Sequence, residues 1–294
     1  MTNLKVPFIG LLQRILPHHF LSRLMYFIMR IEKPWFKNTV IRHFMGLYGI
    51  NLQTAVKTKP EDFIHFNAFF TRALTAQARP LAEDEKAVLS PADGMVSQCG
   101  RIKNGKIFQA KGSDFDLHTL LGDERQRSRF FEDGYFATIY LSPKDYHRVH
   151  IPLAGTLTQM SHIPGRLFSV NDLSTQAIPG LFARNERVVS VFQTECGPMA
   201  VIMVGAIFVS SMETVWHGQI NPPSGRWITE RRYPEGTIKL DRGAELGRFN
   251  MGSTAIVLFP KGTITWDETM RPGYIVRMGQ AIARVESGLK APSN

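Results

Sequence analysis

Cysteine is nearly absent: Cys99 and Cys196 are the only two in 294 residues. That excludes a disulfide-stapled secreted scaffold, and their spacing fits neither a zinc motif nor a dithiol redox motif. Both are expected to be reduced, in a cytoplasmic protein. An unbroken apolar run of the roughly twenty residues that a membrane-crossing helix needs is also missing. Residues 1–29 are interrupted by Lys5, Arg14, Pro17, His18, His19 and Arg23. No small-residue cleavage site follows a single apolar core there, so a secretory leader is not expected. The charge-free stretch 196–212 contains Gly, Pro and Ser, and it reads as two buried strands around 201–204 and 207–209. Fixed-period repeats, low-complexity segments and glycine-rich phosphate loops are absent too.

Acidic residues are scarce at one end. Residues 1–60 hold nine Lys and Arg against Glu32 alone, a surplus of eight out of the net charge of +10. Between these charges lie apolar groups: Phe8-Ile9-Gly10-Leu11-Leu12, Phe20-Leu21, Leu24 to Met29, and Trp35-Phe36. Their spacing suits one face of short helices. A basic amphipathic segment suits an anionic membrane surface, each cation contributing about 1 kcal/mol near a charged leaflet. Nucleic acid is not expected as a partner, because so much Leu, Ile, Met and Phe does not suit a solvated phosphate-tracking arm. The competing structural use of these helices is packing on the body or across a dimer interface.

The remainder is core-forming, with 44% hydrophobic residues overall. The chain is expected to be α+β: N-terminal amphipathic helices over residues 1–80, then a β-rich catalytic domain over 81–294. A third helix is predicted over 61–74, entered at Pro60 with Glu61 and Asp62 in its first turn. Beyond Ala87, β-branched runs separated by Gly and Pro predict strands at 95–99, 106–110, 135–141, 155–162, 187–193, 200–204, 237–240, 254–259 and 280–285. A short helix is predicted over 115–121. The turns at Pro91-Ala-Asp-Gly94 and Gly279-Gln280 resemble those of sandwich-like carrier domains, so the β domain is expected to be sandwich-like.

The segment Gly243 to Thr254 is polar, glycine-rich and set just before the apolar run Ala255 to Phe259. Its Gly252-Ser253 junction suits backbone chemistry. A glycine carbonyl is sterically open, so the Ser253 hydroxyl can attack it and shift the acyl group from nitrogen to oxygen. Loss of the Ser253 α-proton then expels the chain ending at Gly252 and leaves a dehydroalanine, which hydrolyses to a ketone. A serine hydroxyl needs a base, commonly a histidine whose tautomer is fixed by a third group. Two histidines, His147 and His150, lie in Asp145-Tyr-His-Arg-Val-His150, and Asp93 lies in the tight turn of Ser90 to Gly94. A zinc site would want a third ligand, and none is offered nearby. In an extended segment, side chains three apart point to opposite faces, which would give the two rings different jobs.

Several motifs in one order resemble the phosphatidylserine decarboxylase proenzyme family. Met251-Gly252-Ser253-Thr254 is similar to its Leu-Gly-Ser-Thr processing site, and Asp145 to His150 to its Asp-Tyr-His-Arg-x-His signature. Ser90 to Gly94 resembles its Asp-containing turn, and Phe69-Phe-Thr-Arg72 with Ala78-Arg-Pro80 a further signature. Lys111-Gly112, Pro164-Gly165, Ser169-Val-Asn171, Asn185-Glu-Arg187 and Val204-Gly-Ala206 also match. The resemblance implies that Asp93, His150 and Ser253 form a self-cleavage triad. It implies a cut between Gly252 and Ser253 into a β chain, 1–252, and an α chain, 253–294. Ser253 would become a covalently bound pyruvoyl group (pyruvate as cofactor) that decarboxylates phosphatidylserine to phosphatidylethanolamine through a Schiff base, with His147 serving proton transfer. It further implies a homodimer of the αβ unit, peripheral on the cytoplasmic side of the inner membrane. A serine hydrolase is the rival enzyme, but Ser253 lacks the Gly-x-Ser-x-Gly elbow. The other rivals are a non-enzymatic membrane-surface binder and a decarboxylase of another serine-headed lipid.

Overall fold

The computed structural model describes residues 10, 11, 13, 15–110, 113–207, 211–220 and 227–286, with Ser253 described by its backbone alone. The apolar pair Phe8-Ile9, the pair Lys111-Gly112 and the strand residues Phe208 and Val209 lie outside the described residues.

Beyond the helical residues 10, 11, 13 and 15, the first helices described in full are α1 (His18–Ile28) and α2 (Pro34–Tyr48). Pro34 opens α2, where its missing N–H costs nothing, and Gly49 ends it with φ 63°. The expected helix over 61–74 is interrupted. A 3-10 turn spans Pro60–Asp62, and a separate α3 spans Phe66–Phe70. The break has a local cause: Phe63 is extended and buried, and the His65 ring accepts from Ala68 N at 3.0 Å, capping a new helix inside the run. The second expected helix is α4 (Leu117–Leu120), because Asp116 caps it by accepting from Thr119 N.

Strands dominate the rest. In order they are β1 (Ala87–Leu89), β2 (Gly94–Arg101), β3 (Lys106–Ala110), β4 (Ser113–Asp116), β5 (Tyr135–Leu141) and β6 (Arg148–His150). Then come β7 (Gly155–Ile163), β8 (Arg187–Thr194), β9 (Gly197–Val204), β10 (Ser211–Thr214), β11 (Gly218–Gln219) and β12 (Thr229–Arg232). The last six are β13 (Lys239–Leu240), β14 (Glu245–Asn250), β15 (Ser253–Phe259), β16 (Ile264–Trp266), β17 (Ile275–Val276) and β18 (Ala281–Val285). The fold is α+β, and among the described residues the sheets do not close into a barrel. The largest sheet has nine strands, ordered β12-β7-β8-β9-β15-β5-β2-β17 with β13 also on β7; smaller sheets are β11-β10-β14-β6, β1-β18-β16 and β3-β4.

Residues Ala255 to Phe259 of β15 are all fully buried, as are Ala200 to Val204 of β9. Both faces of the sheet are covered there, which is why these runs are continuously apolar rather than alternating. β14 was legible only as a polar approach. Its glycine has a steric reason, since a Cβ on Gly247 would lie 2.2 Å from the Glu213 carbonyl oxygen of the paired strand β10. A second apolar cluster joins Ile41, Leu52, Phe63, Phe66, Phe69 and Phe70, with Phe44 and Met251 packed against it. Met251 thereby ties the N-terminal helices to the Gly252-Ser253 junction.

Candidate active site

Three connections link the nine-stranded sheet and the four-stranded one. β5 leads into β6 through 142–147, β9 leads toward β10, and β14 leads into β15 through Met251-Gly252. Register fixes their alignment: Ser253 pairs with Leu141, Thr254 with both Tyr140 and Val204, and Asn250 with Ser211. The histidine segment and the Gly-Ser junction, about a hundred residues apart in sequence, therefore run side by side. Phe249 N donates to His147 O at 3.0 Å across this seam.

The seam is strained where the chain changes sheets. Met251 has φ 84° and Gly252 φ 65°. A left-handed glycine is ordinary, but a bulky residue there is costly and is held only by its surroundings. One clamp is Asn250, fully buried, whose Nδ2 donates to Ser211 Oγ (2.6 Å) and Glu213 Oε1 (2.8 Å) while its Oδ1 accepts from Asn67 Nδ2 (2.8 Å). The other is the packing of Met251 on the aromatic cluster. Among the described residues other than its chain neighbours, nothing lies within 4 Å of the position a Gly252 Cβ would take.

His147 is fully buried, stacked on Phe70 with ring centroids 4.0 Å apart. Neither ring nitrogen makes a well-formed hydrogen bond. Burial, then the nearby Arg72 charge, push its pKa down to about 3, with the Pro143 and Ser142 carbonyls pulling the other way. His147 is thus neutral at physiological pH. The turn preceding it is pinned by Asp145, whose Oδ2 accepts from Ser142 N (2.7 Å) and Ser142 Oγ (2.6 Å).

Both nitrogens of His150 are engaged. Nδ1 lies 2.8 Å from Gly243 O and Nε2 lies 3.0 Å from the Tyr146 hydroxyl. A carbonyl can only accept, so the partners assign the proton to Nδ1 and leave Nε2 as the acceptor. Burial raises the Tyr146 pKa to about 12, which keeps its hydroxyl a donor. Burial also lowers the His150 pKa, opposed by the Gly243 carbonyl and the Glu245 charge.

Asp93 is close by but bonded elsewhere. Its Oδ1 accepts from Arg79 Nε (2.8 Å) and from Met278 N (2.9 Å), and Oδ2 pairs with Arg79 Nη2. This bidentate pair raises the Arg79 pKa. The Asp93 turn reaches His150 through backbone, with His150 N donating to Pro91 O at 2.7 Å, and through charge. The two carrier-like turns also meet, Ser90 N donating to Gln280 O at 2.7 Å. The fold thus gathers Asp93, His147, His150 and the Ser253 backbone at one seam, and hydrogen-bonds His150 to Tyr146 and Gly243. Arg79, Phe70 and Tyr146 all lie inside quoted motifs, but a motif does not say which member holds which. The Gly243 carbonyl leaves no sequence signal at all.

Among the described residues no cluster of three or more His, Cys, Asp or Glu could hold a metal ion. Thr254 Oγ1, next to Ser253, is buried without a hydrogen-bond partner.

The family model described as phosphatidylserine decarboxylase matches residues 66–284, and one described as PSD matches residues 8–49. A phosphatidylserine decarboxylase proenzyme of Methylococcus capsulatus is 52% identical, covering 92% of this chain and 94% of its own. Proteins of the same description from Azotobacter vinelandii (52% identical; 92% and 96% covered) and Pseudomonas putida (54%; 92% and 95%) are similar throughout. The molecule is an enzyme, a carboxy-lyase. It belongs to the phosphatidylserine decarboxylase family.

Proposed function

We propose that this chain is made as a single proenzyme, cuts itself between Gly252 and Ser253, and then decarboxylates phosphatidylserine to phosphatidylethanolamine on a membrane surface. The observation that carries the reading is the pair of left-handed residues, Met251 and Gly252, at a sheet-to-sheet crossing beside two buried histidines. In the cut, His150 Nε2 gives up the Tyr146 hydroxyl it accepts from and takes the Ser253 hydroxyl proton instead, while Gly243 O holds the tautomer that keeps the lone pair on Nε2. The Ser253 oxygen adds to the Gly252 carbonyl carbon, and the C–N bond breaks to give an ester and a free amine. Loss of the Ser253 α-proton then breaks the Cβ–O bond and releases the Gly252 carboxylate. Water replaces the remaining amine as ammonia, leaving the keto terminus. Relief of the Met251 backbone favours the products.

The residues around position 253 fit a pyruvoyl group, because the His147 ring nitrogens are buried polar atoms with no well-formed hydrogen bond among the described residues. Residue 253 would carry the group, with His147 as its polar neighbour. When present, the group supplies a ketone that takes up the electron pair left by departing carbon dioxide. His147, neutral and shielded from water by Phe70, holds one N–H and one lone pair, as delivery of a proton to the substrate α-carbon requires. Burial, and after it the Arg72 charge, keep His147 neutral.

The membrane reading rests on α1. Its buried residues are His18 and Ser22, while Phe20 and Phe27 are 66% and 70% exposed, and Trp35 of α2 is 74% exposed. Among the described residues no helix is long and apolar enough to cross a bilayer, so association is through this outward apolar face and its cations. The assembled unit is a homodimer of αβ pairs, peripheral on the cytoplasmic side of the inner membrane, with residues 1–80 as the membrane-associating part and 81–294 as the catalytic part. Intact mass tests the central claim. Wild-type protein should separate into two chains with a keto terminus on the smaller, and Ser253→Ala should stay whole and inactive. A competent, uncut wild-type chain would overturn it.

A further inference from the structure

A cleft of about 310 Å³ opens between the end of α2 and the turn that leads to His147. Its lining includes Arg72, Arg79, Lys144 and Arg277, against the carboxylates Asp93 and Asp145. Both carboxylates are already committed, Asp93 to Arg79 and Asp145 to Ser142. Lys144 and Arg277 are exposed and have no ion-pair partner among the described residues. Arg72 is 8% exposed, and its Nη1 is buried without a hydrogen-bond partner among the described residues, while Nη2 donates to Lys144 O at 3.2 Å. A buried guanidinium edge with nothing to donate to is costly, and an oxyanion in the cleft would satisfy it. Two cations stand in excess around it.

The rim is of a different character. Ile275 is 62% exposed and Tyr48 37% exposed, and both line the same opening. Cations inside an apolar lip suit an anion that carries hydrocarbon, more than a freely solvated one. The cleft also adjoins the reaction seam. Lys144, Asp145 and Tyr146 of its lining directly precede His147 in the chain, and the Tyr146 hydroxyl lies 3.0 Å from His150 Nε2. In a serine phospholipid the phosphorus is three bonds from the α-carbon, so its phosphate must lie near any residue that handles that carbon.

We propose that this cleft is a phosphate-ester site, in which Arg72, Lys144 and Arg277 hold the phosphodiester of a lipid headgroup beside His147. The lipid assignment rests on the decarboxylase reading; the anion site does not. A free phosphate shares the chemistry, and the test separates the two. Calorimetric titration of full-length Ser253→Ala protein uses dihexanoyl phosphatidylserine and inorganic phosphate as probes. Combining Lys144→Ala with Arg277→Ala should weaken lipid binding roughly tenfold or more, while the charge-matched pair Lys239→Ala and Lys261→Ala should not. In mature enzyme the cleft pair should raise KM for the same lipid by a similar factor. Arg72→Lys, which keeps the charge but not the fork, should also weaken binding in folded protein.

Unchanged affinity and KM in the Lys144/Arg277 variant, with wild type turning over normally, would overturn the site and leave the decarboxylase reading intact. Inorganic phosphate binding more tightly than the lipid, through the same residues, would overturn the lipid assignment. A wild-type chain that never releases carbon dioxide from phosphatidylserine, yet binds it through Lys144 and Arg277, would remove the decarboxylase reading and support the anion site.

Discussion

His147 should write itself into the pH dependence of folding. In the unfolded chain its imidazole titrates near 6.5, and in the folded protein burial beside Phe70 and the Arg72 charge bring it to about 3. Between these values the unfolded state binds more protons, so stability falls as pH falls. The loss begins below about 6.5 and is complete near the folded value. At about pH 5 it amounts to roughly 2 kcal/mol, and any folded pKa well below 5 gives nearly the same figure. The comparison belongs in the uncut Ser253→Ala background, where a single chain unfolds. Urea unfolding followed by circular dichroism at about pH 7.5 and about pH 5 would give the loss, with and without His147→Gln. The glutamine variant should lose roughly 2 kcal/mol less between the two conditions, whatever its stability at neutral pH, because other titrating groups cancel in the difference. An equal loss in both proteins would mean that His147 is not held neutral, and the role assigned to it would lose its physical basis.

Two further outcomes test the seam and the helices. Gly252→Ala meets no steric clash, so its cost should be only the left-handed backbone penalty of about 1–2 kcal/mol; the uncut protein should fold, and the wild-type background should cut more slowly by time-resolved gel analysis. A cutting rate equal to wild type would argue against a conformational requirement at this carbonyl. Phe20→Ser with Phe27→Ser removes two exposed rings from α1, so unfolding should hardly change while co-sedimentation with anionic vesicles falls. Undiminished sedimentation would assign that face to something other than lipid.

What could be read in advance divides along physical lines. β15 and β9 were legible because full burial on both faces leaves continuous apolar runs. The histidine pair stood out because its chemistry is rare and its segment short. The helix expected over 61–74 failed at His65, because a histidine cap is formed by geometry that composition does not encode. β14 was hidden by Gly247 and its charges, although Leu246 and Phe249 are both buried. Least legible were the partners of His150. One is a backbone carbonyl, and the other is a tyrosine whose selection over Asp93 depends on where the chain turns.

Arg79 gives Asp93 a role that a simple three-member relay does not describe. A bidentate arginine–carboxylate pair at this depth, with side chains 17% and 9% exposed, is costly to break by removing one partner, about 3–5 kcal/mol for buried pairs. Asp93 is therefore not free to swing onto His150 without leaving Arg79 uncompensated. Its negative charge nevertheless raises the His150 pKa, countering part of the burial penalty. Orientation of the imidazole falls to Gly243 O and Tyr146, on opposite nitrogens. Electrostatic support and positional support for the proposed base thus come from separate groups, held by separate loops. Both loops are anchored on the same strand: Pro91 O accepts from His150 N, and Gly243 N donates to Ile151 O, one residue on. A shift of either loop would reach His150 directly, which places control of the cut in the backbone that frames the histidine as much as in the histidine itself.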